Sequence, residues 1–358
     1  MFKRIDIYII KKFLGTYVFS IGLIVVLAVV FDLNEKIDKL IENEAPAKAI
    51  IFDYYLNFIP YFSNLFSPLF TFIAVIFFTS KLADNSEVIA MLSSGMSLNR
   101  LMRPYMFSAL VIAVANLLLS SFIIPPANVK RIKFQNTYIK NKGVDFAHNI
   151  QLKVDSNVIA HFDSYDKPTK TGSSFSLERF DGKTLKSRLT ATSIKYDTLH
   201  HWVVKDYLIR NLAGKQEQIK RGSSLDTTIA IEPTDFLISL GDQEKMNTPS
   251  LHKYISKQVK RGFANIKAFE IEYHRRFAMA FASFILTTIG ISISSRKVKG
   301  GMGVNIGIGL GLSFAYILFM TISSSFAVSG LTSAAVAVWI PNVIFSGLAL
   351  YLYSKAPR

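Results

Sequence analysis

Apolar and polar positions divide the chain into three parts: long apolar runs in the first third, a polar and alternating middle third, and apolar runs again to the end. Runs at about 13–31, 54–80, 104–124, 277–294, 304–328 and 334–353 come near or exceed the ~20 residues that a helix needs to cross a bilayer. Between about 127 and 266 no such run occurs, and Lys, Asp, Ser and Thr are dense. The pattern predicts three spans, a folded water-facing domain, and three further spans.

Alternation in the middle third predicts strands. Residues 150–164 (QLKVDSNVIAHFDSY) break at Asp155-Ser156-Asn157, which is turn chemistry between two short alternating runs. Asp181-Gly182 marks a second turn, alternation runs from Leu185 to Tyr196, and Asp197-Thr198 marks a third. Trp202–Leu212 and Thr227–Ile231 continue the pattern. Short strands at this spacing predict an antiparallel sandwich or jelly roll. Thr248-Pro249 then caps a helix with Leu251, Tyr254, Ile255 and Val259 on one face, ending at Gly262. The fold class is therefore an α+β membrane protein, six transmembrane helices (3+3) with an inserted β-jellyroll domain. The expected parts are a membrane half at 1–126, the β domain at 127–247, a connecting helix at 248–266, and a second membrane half at 267–358.

Composition agrees with two solvents. The 358 residues are 50% hydrophobic and 13% aromatic, with mean hydropathy +0.31, yet 18% are charged and must cluster outside the lipid. Met1–Lys12 is charged at both ends, and the apolar stretch after it is too long for a signal h-region and lacks a small-residue cleavage site, so the first span is expected to stay. With no Cys, neither disulfides nor thiolate chemistry is available.

Short loops retain Lys and Arg on the cytoplasmic side. Lys3, Arg4, Lys11 and Lys12, then Lys81, Arg100 and Arg103, then Arg296, Lys297 and Lys299, then Lys355 and Arg358 all fall on one side. On the other, Asp32, Glu35, Asp38, Glu42, Glu44 and Asp53 outnumber Lys36, Lys39 and Lys48. Both termini are thus expected in the cytoplasm and the β domain outside. The net charge of +16 is partly this topology signal, which makes nucleic acid a poor partner.

Between spans two and three lies a short segment at about 84–95, DNSEVIAMLSSG. Asp84 and Glu87 read as a capping-box-like start and Gly95 as a stop, with Val88, Met91 and Leu92 on one face. Two readings follow: an interfacial helix resting on headgroups, or a helix that docks into a groove on a cytoplasmic partner.

The run LADNSEVIAMLSSGMSLNRL resembles the cytoplasmic coupling-helix segment of the LptF/LptG permeases, the membrane subunits of the lipopolysaccharide ABC exporter. The opening IDIYIIKKFLGTYVF, the acidic stretch after span one, SLHKYISKQVKRG and EIEYHRRFAMAFASFILTTIGI are also similar to that family in order and spacing, and length and LHKYI lean toward LptG. The resemblance implies a bacterial inner-membrane permease that pairs with a second LptF/LptG-type permease and binds a cytoplasmic, LptB-like ATPase dimer. It would draw lipopolysaccharide from the membrane and pass it through its periplasmic domain to bridge jelly rolls (LptC/LptA-like), joined by β-augmentation at edge strands. No cofactor is expected on this chain, and ATP/Mg would act in the partner ATPase. There is no G-x-x-x-x-G-K-[ST]; Gly182-Lys183-Thr184 has Leu177 where the upstream Gly belongs.

Residue by residue, the resemblance assigns Ser86, Glu87, Val88, Ala90, Met91, Ser94 and Gly95 to the coupling helix. Gly303, Gly307, Gly311 and Ala315 form a smooth stripe that suits either packing within the chain or, as spans one and five are expected at the subunit seam, a gate contact. A cavity for a phosphorylated glycolipid needs an apolar wall and a cationic rim. Phe31, Tyr61, Phe62, Phe66 and Phe70 are candidates for the wall, with Phe58 and Phe72, in a second span bent by Pro60 and Pro68. Lys36, Lys39, Arg275 and Arg276 are candidates for the rim. The competing readings are aromatics facing lipid or neighbouring helices, and arginines paired with Glu270 and Glu272. Family members can carry a basic residue beside the Phe that closes span one; here Val30 stands there, so Lys36 and Lys39 or the partner subunit would supply that charge.

Asn116, mid-span, is expected to hydrogen-bond to protein. His148, His161, His200, His201, His252 and His274 show no H-x-x-x-H or H-E-x-x-H, so no metal ligands are assigned. Two alternatives stand beside this reading: a permease of another lipid or lipoprotein exporter, whose outer domain would follow the first span, and an intramembrane hydrolase, for which no Ser/His/Asp constellation can be placed.

Overall fold

A computed structural model describes residues 3–139, 146–166, 168–213, 216–233, 241–260, 266–295 and 301–356, with side chains except at 146–149, 213 and 301. Gly262, Arg296, Lys297, Lys299, Gly300 and Arg358 lie outside the described residues, as does the side chain of His148. Two compact units result, one of Met1–Asn141, Glu244–Thr248 and Lys267–Arg358, the other of Lys142–Gln243 and Pro249–Ile266.

The first unit is helical. Its helices are α1 (Arg4–Glu42), α2 (Leu56–Leu65), α3 (Ser67–Asp84), α4 (Glu87–Ser93) and α5 (Leu98–Leu118). Helix α5 continues through a π turn into α6 (Ile124–Phe134). After the inserted unit and its helix α7 (Thr248–Lys260) come α8 (Lys267–Ser294), α9 (Gly301–Val328) and α10 (Ala334–Lys355). Among the described residues six helices are long and apolar enough to cross a membrane. Most outrun the predicted apolar runs, because polar end turns cap and pair: Asp6 accepts the Lys3 backbone N–H at 2.8 Å at the foot of α1.

The second run is interrupted. A single bent span over 54–80 was the expectation; the chain instead breaks at Phe66 (φ −98°, ψ 10°) between α2 and α3. Pro68 sits in the first turn of α3, where a missing N–H costs nothing, so it starts a helix instead of bending one. Pro60 lies inside α2, downstream of π-helical Ile50–Tyr55.

Helix α3 is sheathed by protein, and close approach requires glycine on its neighbours. A Cβ on Gly290 of α8 would lie 2.6 Å from Val75, and one on Gly309 of α9 would strike Ile76. Two mid-bundle polar groups find partners inside the bundle, since hydrocarbon offers none. Asn116 donates to Ser67 Oγ at 2.5 Å, and Tyr316 donates to Asn342 at 2.8 Å.

The second unit is one antiparallel meander, β1 (Phe146–Asp155), β2 (Val158–Asp166), β3 (Thr171–Asp181), β4 (Thr184–Thr198), β5 (His201–Ala213) and β6 (Gln216–Thr228), paired in chain order. The sheet curls on itself. Trp202 of β5 and Phe162 of β2 are three strands apart, roughly 14 Å in a flat sheet, yet their ring centroids are 6.0 Å apart. Inside the curl Trp202, Phe162, Tyr165, Phe175 and Ile194 are fully buried, and the indole N–H donates to Ile231 O at 3.1 Å. Gly222 faces Tyr207, whose ring lies 2.6 Å from where a Cβ would stand.

The two classes of glycine on α9 are separable by experiment. Gly309→Val should cost about 1–3 kcal/mol through overpacking and lower the thermal midpoint of the chain in detergent. Gly307→Val, at a position with no heavy atom within 4 Å, should leave that midpoint within error.

Candidate functional site

Two polar assemblies stand at opposite ends of the helical unit. At the end that carries both termini, α4 follows α3 after only Asn85 and Ser86. The capping box expected from Asp84 and Glu87 does not form. Asp84 is consumed as the last residue of α3, and the chain reverses through a left-handed Ser86 (φ 62°) that makes no side-chain cap. Glu87 instead accepts from Asn85 Nδ2 at 3.2 Å. The stop at Gly95 forms as read: φ is +86°, Gly95 N–H reaches Leu92 O and Met96 N–H reaches Met91 O, the two bonds of a Schellman motif.

Val88 is fully buried among Ile9, Phe13, Leu98 and Leu101, and Met91 and Leu92 pack on the same cluster. The apolar face therefore rests on this chain itself, not on headgroups and not in a partner's groove. Turned outward are Ser86, Ile89, Ala90, Ser93 and Ser94, with Glu87 half-buried at their edge. Immediately after, Ser97 caps α5, and Arg100 in its first turn reaches back to Asp6 of α1 with Nη1 and Nη2 at 2.8 and 2.7 Å.

At the other end, buried charges converge. Arg276, with 2% of its side chain exposed, donates to Glu272 at 2.9 Å and to Thr248 at 2.9 Å, and Arg275 donates to Glu272 at 2.5 Å. Glu270 binds Lys267 at 3.4 Å instead. Arg131 of α6 pairs with Glu244 at 3.3 Å and lies 4.0 Å over the Tyr61 ring. Asn128 ties in the Glu244 carbonyl at 3.2 Å, and Thr248 binds Ser121 at 2.9 Å. Glu244 is held above its ordinary 4.5, first by burial and then by the neighbouring Glu272, against the three arginines. The cavity these residues enclose with Asn64 and Met279 is about 30 Å³, the room of roughly one water.

The expected cationic rim is thus dispersed. Arg275 and Arg276 share the single carboxylate of Glu272. Lys36 is paired with Asp32 and donates to Tyr54 Oη at 2.5 Å, while Lys39 alone of the four is exposed. The aromatic wall divides too: Phe70 is fully buried in α3, the tilted rings of Phe62 and Phe66 lie 4.6 Å apart, Tyr61 lies under Arg131, and Phe31 is 72% exposed. Arg131, Asn128, Glu244 and Thr248 were not among the sequence candidates. Only the Asn128–Arg131 spacing on one helical face hinted at them, and Glu244 is 113 residues from Arg131.

Along the flanks, α1 turns Val18, Phe19, Leu23, Val26 and Val30 outward. Helix α9 turns Gly303, Gly307, Gly311 and Ala315 outward, each glycine with nothing within 4 Å. Packing of that stripe within the chain, one of the two readings, does not occur; Gly290 and Gly309 do that work.

The family model for the lipopolysaccharide export system permease LptF/LptG matches residues 7–355. The chain belongs to the LptF/LptG family. A comparison with curated proteins finds no match. As an LptF/LptG permease the chain is a multi-pass inner-membrane transport subunit, and both helical halves together with the curled sheet fall inside the matched region.

The far-end network makes two expectations. Glu272→Gln, which removes the carboxylate that Arg275 and Arg276 share, should cost roughly 3–5 kcal/mol in unfolding of the purified chain. Because Glu244 titrates higher folded than unfolded, the unfolded chain loses that proton first as pH rises above about 4.5, so this residue's contribution to stability falls with rising pH. Glu244→Gln should flatten that part of the stability profile between pH 4 and 7.

Proposed function

We propose that this chain is the permease subunit of an ABC exporter that extracts lipopolysaccharide from the inner membrane and hands it to a periplasmic bridge. ATP is hydrolysed by a separate cytoplasmic ATPase dimer, and a second LptF/LptG-type permease completes the membrane part. The observation that carries the reading is the seating of α4. A helix of seven residues is too short to hold itself, and here Val88, Met91 and Leu92 fasten it to the bundle while Ser86, Ala90, Ser93 and Ser94 face away with Glu87 beside them. The four small outward side chains let a partner's backbone come close, Ile89 offers it an apolar contact, and the acid at the first turn offers one charged anchor.

Other features support the same reading. The outward faces of α1 and α9 are apolar and, on α9, smooth, which suits a seam with a second membrane subunit. The cavity between Tyr61, Glu244 and Arg276 is much too small for an acyl chain, and a lipid site between two permeases would have Phe31 and Lys39 available to it. In the inserted unit β6 is, among the described residues, an edge strand that suits strand addition by a bridge protein.

Reversal of charge at Glu87 tests the coupling. Glu87→Arg should insert normally, since the side chain lies outside the Val88 cluster, and should lower ATP-driven lipid release at least tenfold in proteoliposomes made with the co-expressed ATPase and second permease. Wild-type release by that variant removes Glu87 from the contact. A wild-type chain that purifies with no ATPase removes the exporter reading.

A further inference from the structure

Helix α1 is the most loosely held of the crossing helices. Its outward flank from Val18 to Phe31 touches little of the chain. Charged side chains fasten it near its far end, where Lys36 meets Asp32 and Tyr54, and at its foot, where Asp6 meets Arg100; between them Tyr17 shares a hydrogen bond with Ser67 at 2.9 Å and Phe13 packs on Tyr105. The foot contact is the only bidentate arginine–carboxylate pair that joins α1 to another helix among the described residues. Asp6 is buried, and its remaining capacity is taken by the Lys3 backbone N–H. Arg100 stands three residues after the Ser97 cap, and that cap follows α4 across Gly95 and Met96.

The apolar cluster that Val88 shares with Ile9 and Phe13 resists compression but has no directional preference. A two-pronged charged pair is different, because it fixes both distance and orientation and resists pulling as well as pushing. We infer that the Asp6–Arg100 pair is the rigid link by which a displacement of α4 and the start of α5 is carried to α1, so that Asp6 and Arg100 are positioning residues for the export step. With its far end tethered at Tyr54, an α1 moved at the foot must tilt, and the flank that tilts is the apolar face turned away from the bundle. This rests on the proposed role of α4 as the element a cytoplasmic ATPase moves.

The chain has no cysteine, so spin labels placed at Ser94→Cys and Phe19→Cys are unique. In nanodiscs holding the full chain alone, one narrow distance distribution is expected. Asp6→Asn and Arg100→Lys should broaden it at least twofold, and the swap Asp6→Arg with Arg100→Asp should restore it; an unchanged narrow distribution in both single variants overturns the link. Unlabelled chains co-purified with the ATPase and second permease give the second readout, lipid released per ATP hydrolysed. That ratio should fall at least tenfold in the single variants, with ATP turnover and co-purification kept, and recover in the swap. A ratio unchanged in the single variants overturns the link as well. Should Asp6→Asn fail to insert, Arg100→Lys, which keeps the charge, carries both readouts. A wild-type complex that releases no lipid on ATP defeats the exporter reading instead, and the label distances still judge the link.

Discussion

Charge taken out of water must be met by opposite charge, and in this chain that requirement organises both ends of the helical unit. Asp6 and Arg100 meet at the end with the termini. Glu244 and Glu272 meet Arg131, Arg275 and Arg276 at the other. An isolated buried arginine or carboxylate would cost several kcal/mol, so each helix end is drawn to the partner that neutralises it, across 94 residues in one case and 113 in the other. Between these two layers the bundle is apolar, and glycine and small polar groups set how closely its helices approach. The ends determine register; the middle determines separation.

That division bears on how such a permease can work. Tightly packed α3, sheathed by α8 and α9 through Gly290 and Gly309, behaves as a fixed post. Helix α1 has its flank free, and α4 is a short element clipped to the same core by one buried valine and two half-buried neighbours. On the proposed reading, work done by a nucleotide-hydrolysing partner enters where the structure is least continuous and leaves through the helix that is least enclosed. The clamp on Glu244–Thr248 gives the returning chain a firm point of attachment in the helical unit just before α7.

Much of the fold was legible because bilayer and sheet impose simple periods. Six apolar runs became six crossing helices, and Asp155-Ser156-Asn157 and Asp181-Gly182 mark real hairpins. Strands β3 (TGSSFSLERFD) and β6 (QEQIKRGSSLDTT) left no such trace. The first offers too few apolar positions in alternation, and the second is an almost wholly exposed edge held by backbone pairing to β5. The third turn moved from Asp197-Thr198 to Leu199-His200, where His200 takes φ 59°, because ladder bonds to β5 carry β4 past a residue pair with good turn chemistry.

What the residues determined unaided is the sorting of segments between lipid and water and the stop of α4 at Gly95, since both follow from local transfer energy and local backbone geometry. Tertiary structure alone decided which charges are free. Lys36, Arg275 and Arg276 look like available cations in the sequence, yet Asp32 pairs with Lys36, Glu272 is shared by Arg275 and Arg276, and Lys39 stays exposed. It also decided which glycines face protein, Gly290 and Gly309 and not Gly303, Gly307 or Gly311. The physical reason is the same in both cases: neutralisation and close approach are properties of pairs, and the partners lie on other helices or on a turn of helix whose burial the sequence does not reveal.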